Sequence, residues 1–141
     1  MSYEFTFILP CLNEEASLEY CIHEIKKSIE KYNLHAEILV CDNNSTDNSI
    51  KIAKKNDVRV VIENEKGYGN ALICGIKNAK GKYCIIGDSD GSYDFYDIDN
   101  FINGVRDGHD LIVGNRFVGG IEKDAMSFSH KIGGKFLTNI R

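Results

Sequence analysis

The chain has 141 residues, 43% hydrophobic and 27% charged, which is enough apolar mass for one globular core and too much for a disordered polymer. Its formal net charge of −4 excludes a global basic field of the kind that recruits nucleic acid by charge alone. No apolar run approaches the roughly 18 residues of a membrane span, and the short run Phe5 to Leu9 leads into Pro10 and polar residues, unlike a signal peptide.

Short β-rich runs alternate with helix-period segments, the mark of a parallel sheet with crossover helices. Strands are predicted at Phe5–Leu9, Glu37–Cys41, Arg59–Glu63, Tyr83–Gly87 and Leu111–Gly114. Their Val and Ile content suits strands covered on both faces. After the first strand, Leu18, Cys21, Ile22, Ile25, Ile29 and Tyr32 recur at three- and four-residue spacing, with Asn13 placed to cap and Glu14-Glu15 in the first turn. After the second, Asn44-Ser-Thr-Asp47 offers a cap for a shorter helix with Ile50 and Ala53 on its apolar side. Leu72, Gly75, Ile76 and Ala79 predict a third helix ending near Gly81, and Ile98, Phe101, Ile102 and Val105 a fourth stopping at Gly108. From Ala125 to Arg141 the chain reads as an amphipathic, basic helix or helix pair broken at Gly133-Gly134. It packs on the core with a solvated basic face, or lies on a membrane surface, and the two are compatible.

Cys11, Cys21, Cys41, Cys74 and Cys84 form no C-x-x-C pair, are odd in number and sit mostly in apolar runs, which reads as reduced thiols of a cytoplasmic protein. His23, His35, His109 and His130 share no close ligand spacing with them, which argues against zinc.

In open parallel sheets ligands bind beyond the carboxyl ends of the strands, and the polar clusters of this chain follow its predicted strands. They are Pro10-Cys-Leu-Asn-Glu14, Asp42-Asn-Asn-Ser-Thr-Asp47, Lys66-Gly-Tyr-Gly-Asn70, Asp88-Ser-Asp90 and Gly114-Asn-Arg116. Residues two apart in an extended segment point the same way, so Asp88 and Asp90 suit one divalent cation holding a diphosphate. A capped turn before Gly91 explains them equally well. Taken singly, Asn13 and Ser45 are good caps, Gly67 and Gly69 good turn formers, and Arg116 a surface charge.

In order, these clusters resemble the nucleotide-sugar domain of family 2 glycosyltransferases. Ile8-Leu-Pro-Cys-Leu-Asn-Glu14 matches the opening motif, Asp42-Asn-Asn-Ser-Thr-Asp47 the acidic base-binding turn and Asp88-Ser-Asp90 the metal motif. Lys66-Gly-Tyr-Gly-Asn-Ala71, Gly87-Asp-Ser-Asp-Gly-Ser-Tyr-Asp-Phe95 and Val113-Gly-Asn-Arg-Phe117 are similar to the branch of dolichyl- and polyprenyl-phosphate sugar transferases, continued by Ile121-Glu-Lys-Asp-Ala-Met126 and His130.

The resemblance implies an α/β fold: a three-layer open, mainly parallel sheet with helices on both faces, of the GT-A, Rossmann-like kind. Residues 1–141 would form one nucleotide-sugar-binding domain, truncated at its C-terminal side relative to the family's catalytic domain. Pro10, Leu12, Glu14, Asp42 and Asn44 would bind the nucleoside of a UDP- or GDP-linked sugar, and Gly67 and Gly69 would let backbone approach the diphosphate. Asp88 would reach the ribose or metal side, and Asp90 would ligate Mg²⁺ or Mn²⁺. Asp90 and Arg116 carry the catalytic expectation, with Arg116 clamping an acceptor phosphate, helped by Lys131 and Ser129. The implied reaction is inverting displacement at the anomeric carbon by a polyprenyl phosphate, at the cytoplasmic face of the inner membrane and without nucleic acid. The alternatives are transfer to a saccharide hydroxyl and a nucleotide-sugar-binding module without turnover. A dinucleotide-binding dehydrogenase fits poorly, because no G-x-G-x-x-G follows the first strand. An Asp-x-Asp phosphatase would place its pair after the first strand, not the fourth.

Overall fold

In the computed structural model, residues 3–87, 89, 102 and 111–113 are described. Strands and helices alternate as β1 (Tyr3–Cys11), α1 (Leu18–Lys31), β2 (Ala36–Asp42), α2 (Ser49–Lys55), β3 (Arg59–Ile62), α3 (Tyr68–Asn78), β4 (Gly81–Ile86) and β5 (Leu111–Val113). The sheet order is β3-β2-β1-β4-β5 and every pairing is parallel. Parallel neighbours need a crossover, supplied between β1 and β4 by α1, α2 and α3.

Strand alternation divides the core in two. Phe5, Phe7, Leu9 and Cys11 of β1, with Ile38 and Val40 of β2, pack under Leu18, Cys21, Ile22 and Ile25 of α1 and Ala53 of α2. The intervening Ile8, Leu39, Cys41 and Ile86 face the other way, under Ala71 of α3, with Leu72 and Ile76 against them. Both faces of the sheet are thus covered, as the apolar strand composition predicts. Complete burial of Leu18, Ile22 and Ile25 contributes roughly 1.5–3 kcal/mol for each side chain.

α1 and α2 end alike. Asn33 and Asp57 take positive φ, 51° and 59°. Their N–H groups bond to the carbonyls of Glu30 and Lys54, and those of Leu34 and Val58 to Ile29 and Ala53. This is the Schellman arrangement without its usual glycine, and it folds an apolar residue back onto each helix. The N-termini differ from the sequence expectation. Asn13 does not cap α1, whose N-cap is Ser17 with no side-chain cap bond, and Glu14 and Glu15 precede the helix, leaving Glu19 in its first turn. In α2 the buried positions are Ser49 and Ala53, and Ile52 rather than Ile50 packs against the core.

β4 begins at Gly81, two residues before the apolar run that predicts it. A Cβ there would lie 2.5 Å from the Phe5 carbonyl carbon and 2.6 Å from the Thr6 nitrogen, so glycine lets β4 start flush against β1. Its N–H donates to Thr6 Oγ1 at 2.8 Å, and that hydroxyl donates to Glu37 Oε2 at 2.7 Å. Arg59 closes the cluster, giving Nη2 to Glu37 Oε1 at 3.0 Å and to the Asn78 carbonyl, the end of α3, at 2.6 Å. A cation on the last carbonyls of a helix is favourably placed.

Of the predicted fourth helix, Ile102 alone is described; it is helical and buried in the first core. The other positions of that helix, Gly114, and the segment from Ala125 to Arg141 lie outside the described residues. Among the described residues, no helix is long and apolar enough to cross a membrane.

Gly75 brings α3 onto the sheet: a Cβ there would meet Cys41 Sγ and Ile8 Cγ2 at 2.6 Å each. Gly75→Val is therefore expected to lower stability by about 2 kcal/mol through overpacking, read as a lower urea midpoint with unchanged slope. Burial pushes the thiols of Cys41 and Cys84 from an ordinary 9.0 up to about 12 and about 11. As pH rises past the ordinary thiol value the unfolded chain loses these protons first, so stability is full below it and falls toward the folded values. The urea midpoint should therefore drop between about pH 8 and about pH 10.5. Relative to its own value at the lower pH, Cys41→Ala should show a shallower drop.

Candidate functional site

The carboxyl end of β1 is where the sheet forks. Pairing with β2 continues to Cys11↔Asp42, while pairing with β4 stops at Ile8↔Ile86. Ile8 directs its carbonyl toward β4, accepting from Gly87 N at 3.2 Å, so Pro10, two residues on, faces the same side. Proline has no N–H to leave unpaired there, and its carbonyl accepts from Ser89 Oγ at 3.0 Å. The Ser89 carbonyl in turn accepts from Ser17 Oγ at 2.7 Å. A strand order that reverses about β1 opens a crevice at this point.

Asn13 lies just past the fork with φ 53°, a left-handed conformation that asparagine tolerates better than most residues. Its Oδ1 accepts from Thr46 N at 2.8 Å, Thr46 Oγ1 at 3.4 Å and Asp47 N at 3.3 Å. Its own N–H donates to Ser45 Oγ at 2.9 Å. The next two residues repeat the exchange: Glu14 N donates to Ser49 Oγ and Glu15 N to Asp47 Oδ2, each at 3.0 Å. The β1–α1 connection is thereby stitched to the β2–α2 turn. Burial acts upward on the Asp47 carboxyl, and hydrogen bonds from Ser49 and Glu15 outweigh it, holding the group below its ordinary range.

Asn43 fastens a third segment. Its Nδ2 donates to the carbonyls of Glu63 at 2.8 Å and Glu65 at 2.9 Å, and its Oδ1 accepts from Gly67 N at 2.9 Å. Gly67 is the N-cap of α3 with φ 127° and ψ 143°, a region essentially closed to side chains. α3 therefore starts where the amide of Asn43, just past β2, dictates.

These segments enclose a cavity of about 580 Å³. Of the residues expected from sequence, Pro10, Leu12, Glu14, Asn44 and Gly67 line it. Asp42 does not: it is fully buried, and both carboxylate oxygens are held by Ser45, through N at 2.7 Å and Oγ at 2.6 Å. It stands behind the wall and shapes the turn. Gly69 sits in the first turn of α3, where a Cβ would meet nothing within 4 Å. Asp88, Asp90, Arg116, Ser129 and Lys131 lie outside the described residues. Ser89, the residue between the two aspartates, lines the cavity and is 2% exposed. The sequence reading missed Asn43 and Ser89 as parts of the site, although both lie inside motifs it had marked. Asn13, expected as a helix cap, is a cross-loop acceptor instead, and the two look alike until the partner is seen.

Glu14 is the one carboxylate and Lys66 the one cation lining the cavity among the described residues. Leu12 and Tyr68 add apolar surface at its rim, 51% and 56% exposed. Burial raises the Cys11 thiol in the wall, against hydrogen bonds from Ser49 and Ser89 that lower it, so this group stays protonated at neutral pH. No three His, Cys, Asp or Glu side chains converge on a metal position among the described residues. What the described residues offer is a largely apolar crevice set with amide donors and acceptors, one carboxylate and one cation.

Known proteins are similar to this chain in sequence and in fold. A hexosyltransferase of low-salt glycan biosynthesis from Haloferax volcanii is 35% identical over 133 residues, 93% of this chain and 32% of the relative. A dolichol-phosphate mannosyltransferase from Pyrococcus furiosus is 29% identical over 130 residues, 89% of this chain and 36% of that protein. The chain thus spans about a third of the length of each relative. Among solved structures, the glucosyl-3-phosphoglycerate synthase of Mycobacterium tuberculosis in complex with Mn²⁺ and UDP-glucose superposes with a TM-score of 0.55 at 29% identity, over 62% of this chain and 33% of that one. The family model described as glycosyl transferase family 2 matches residues 6–140. With Thr6–Cys11 of β1, the stitched turns, α3 and β4 inside that span, this chain belongs to glycosyl transferase family 2.

Proposed function

We propose that the chain forms the nucleotide-sugar-binding part of a metal-dependent, inverting glycosyltransferase that passes a sugar from a UDP- or GDP-linked donor to a polyprenyl phosphate. The observation that carries this is Ser89: the centre of the Asp88-Ser-Asp90 triplet is anchored on Pro10 and Ser17 at the same cavity that Leu12, Glu14, Asn44 and Gly67 line. The base and ribose fit the side built by the connections that follow β1 and β2, where Leu12 offers apolar contact and Glu14 and the asparagines offer hydrogen bonds. Asp42 contributes by fixing Ser45 rather than from the cavity surface. Lys66 and the start of α3 suit the diphosphate end, where the lysine charge and the helix dipole favour anions.

The donor set fits a hard divalent cation, since Asp88 and Asp90 supply carboxylate oxygens and the residue between them is at the cavity. When bound, Mg²⁺ or Mn²⁺ supplies Lewis-acid stabilisation of the leaving diphosphate. The Mn²⁺ and UDP-glucose named for the M. tuberculosis structure support that assignment. A phosphate monoester is already largely anionic near neutral pH, its second pKa being about 6, so the acceptor needs a clamp more than a base. Arg116 is assigned that role, with Lys131 and Ser129 as helpers. The phosphate in the name of the Pyrococcus relative's acceptor supports it. Such an acceptor would bring the site to the cytoplasmic face of a membrane.

Titration calorimetry with UDP-glucose and GDP-mannose is expected to give binding to one of them in Mn²⁺ that is lost in chelator and in Asp90→Asn; equal affinity in all three conditions overturns the metal assignment. In the intact enzyme, radiolabelled sugar should appear in the organic phase with a polyprenyl phosphate. Arg116→Lys should slow that transfer on the order of 100-fold, and label found solely on a saccharide hydroxyl would replace the lipid acceptor with a sugar.

A further inference from the structure

We propose that Asn13 is a positioning residue for nucleoside recognition: its side-chain carbonyl holds the Leu12–Glu14 wall of the cavity against the β2–α2 turn. The inference rests on reading the cavity as the nucleotide site. Leu12 and Glu14 flank Asn13 and line the cavity, as do Asn44 and Thr46 across from them. No backbone ladder joins these two stretches, because the β1–β2 pairing ends at Cys11↔Asp42. What joins them is side-chain chemistry, and Asn13 supplies most of it.

One oxygen, Asn13 Oδ1, serves three donors: Thr46 N, Thr46 Oγ1 and Asp47 N. The N–H of the same residue reaches Ser45 Oγ, a hydroxyl whose own proton goes to the buried Asp42. The chain of contacts thus runs from the sheet core, through Asp42 and Ser45, to the backbone at position 13. The left-handed φ of 53° at Asn13 sets the angle at which the wall leaves β1, and Glu14 N and Glu15 N then find Ser49 and Asp47. Loss of the carbonyl frees two turn amides and lets the wall move relative to Asn44, while both hydrophobic cores keep every contact. Ligand recognition is therefore sensitive to this residue where global stability is not.

Two variants separate backbone from side chain. Asn13→Gly keeps the left-handed conformation and removes the acceptor, whereas Asn13→Asp keeps both. Calorimetry of UDP and GDP with Mn²⁺, thermal unfolding and amide hydrogen exchange are compared with the wild-type chain. Asn13→Gly should weaken nucleotide binding about tenfold or more, speed exchange at Thr46 and Asp47, and melt within a few degrees of wild type; Asn13→Asp should recover most of the affinity. Wild-type affinity in Asn13→Gly, unchanged exchange at the two amides, or a collapsed melting temperature in both variants overturns the inference while leaving the nucleotide site standing. A wild-type chain that binds neither nucleotide overturns the functional reading, and this inference with it.

Discussion

β1 stops pairing on one side before it stops on the other, and the rest of the site follows from that offset. Its edge toward β2 runs three residues beyond its edge toward β4, to Cys11 against Ile8. Pro10 falls in the gap. A central strand is a poor place for proline, since the missing N–H breaks a ladder, yet here the neighbouring strand has already left and the orphan carbonyl is taken by Ser89. The residue that would weaken a sheet interior instead fixes where the sheet opens. It also draws the chain after β4 across the end of β1, which puts two motifs nearly eighty positions apart in sequence at one crevice.

Around this fork the loops are held by amides and carboxylates rather than by apolar packing. Asn43 takes two carbonyls and one N–H from the chain between β3 and α3; Asn13 does the same work between the first two connections. Asp42 is completely buried, and two hydrogen bonds from Ser45 satisfy its carboxylate. Desolvated polar groups are costly unless fully paired, and once paired they specify one geometry. A cavity wall built this way is held in one geometry by its own bonds, and a ligand bound there would spend little ordering entropy on recognition. The opposite end of the sheet follows the same rule, where Thr6, Glu37 and Arg59 tie β1, β2 and β3 to the end of α3. There the polar cluster sits beneath the helix, far from the crevice, and closes the core.

Much of this was open to a reader of the sequence. The five strands, the stripe of α1 and the placement of the polar clusters beyond the strand ends all follow from side-chain periodicity, a local property that burial on two faces imprints on the chain. Even the family is legible, because the motifs that carry it are short and ordered. The errors were of one kind. Asn13 and Glu14 were assigned to a helix start, Ile50 to a packing face and Asp42 to the cavity surface, each by a sound local rule. For three of them a side-chain hydrogen bond decides the outcome: Thr46 N on Asn13, Ser49 Oγ on Glu14 N, Ser45 on Asp42.

By itself, then, the sequence determined the five strands and the first three helices, that the sheet would be parallel and doubly covered, and that polar clusters would gather at its carboxyl end. The tertiary structure decided which of them face the cavity and which stand behind it, that Asn43 rather than a backbone turn anchors α3, and that Ser89 closes over Pro10. The reason is physical. Periodicity is written in neighbours three or four places apart, whereas a side-chain hydrogen bond across about twenty to eighty residues leaves no trace in spacing and exists only when the sheet has brought both partners to its edge.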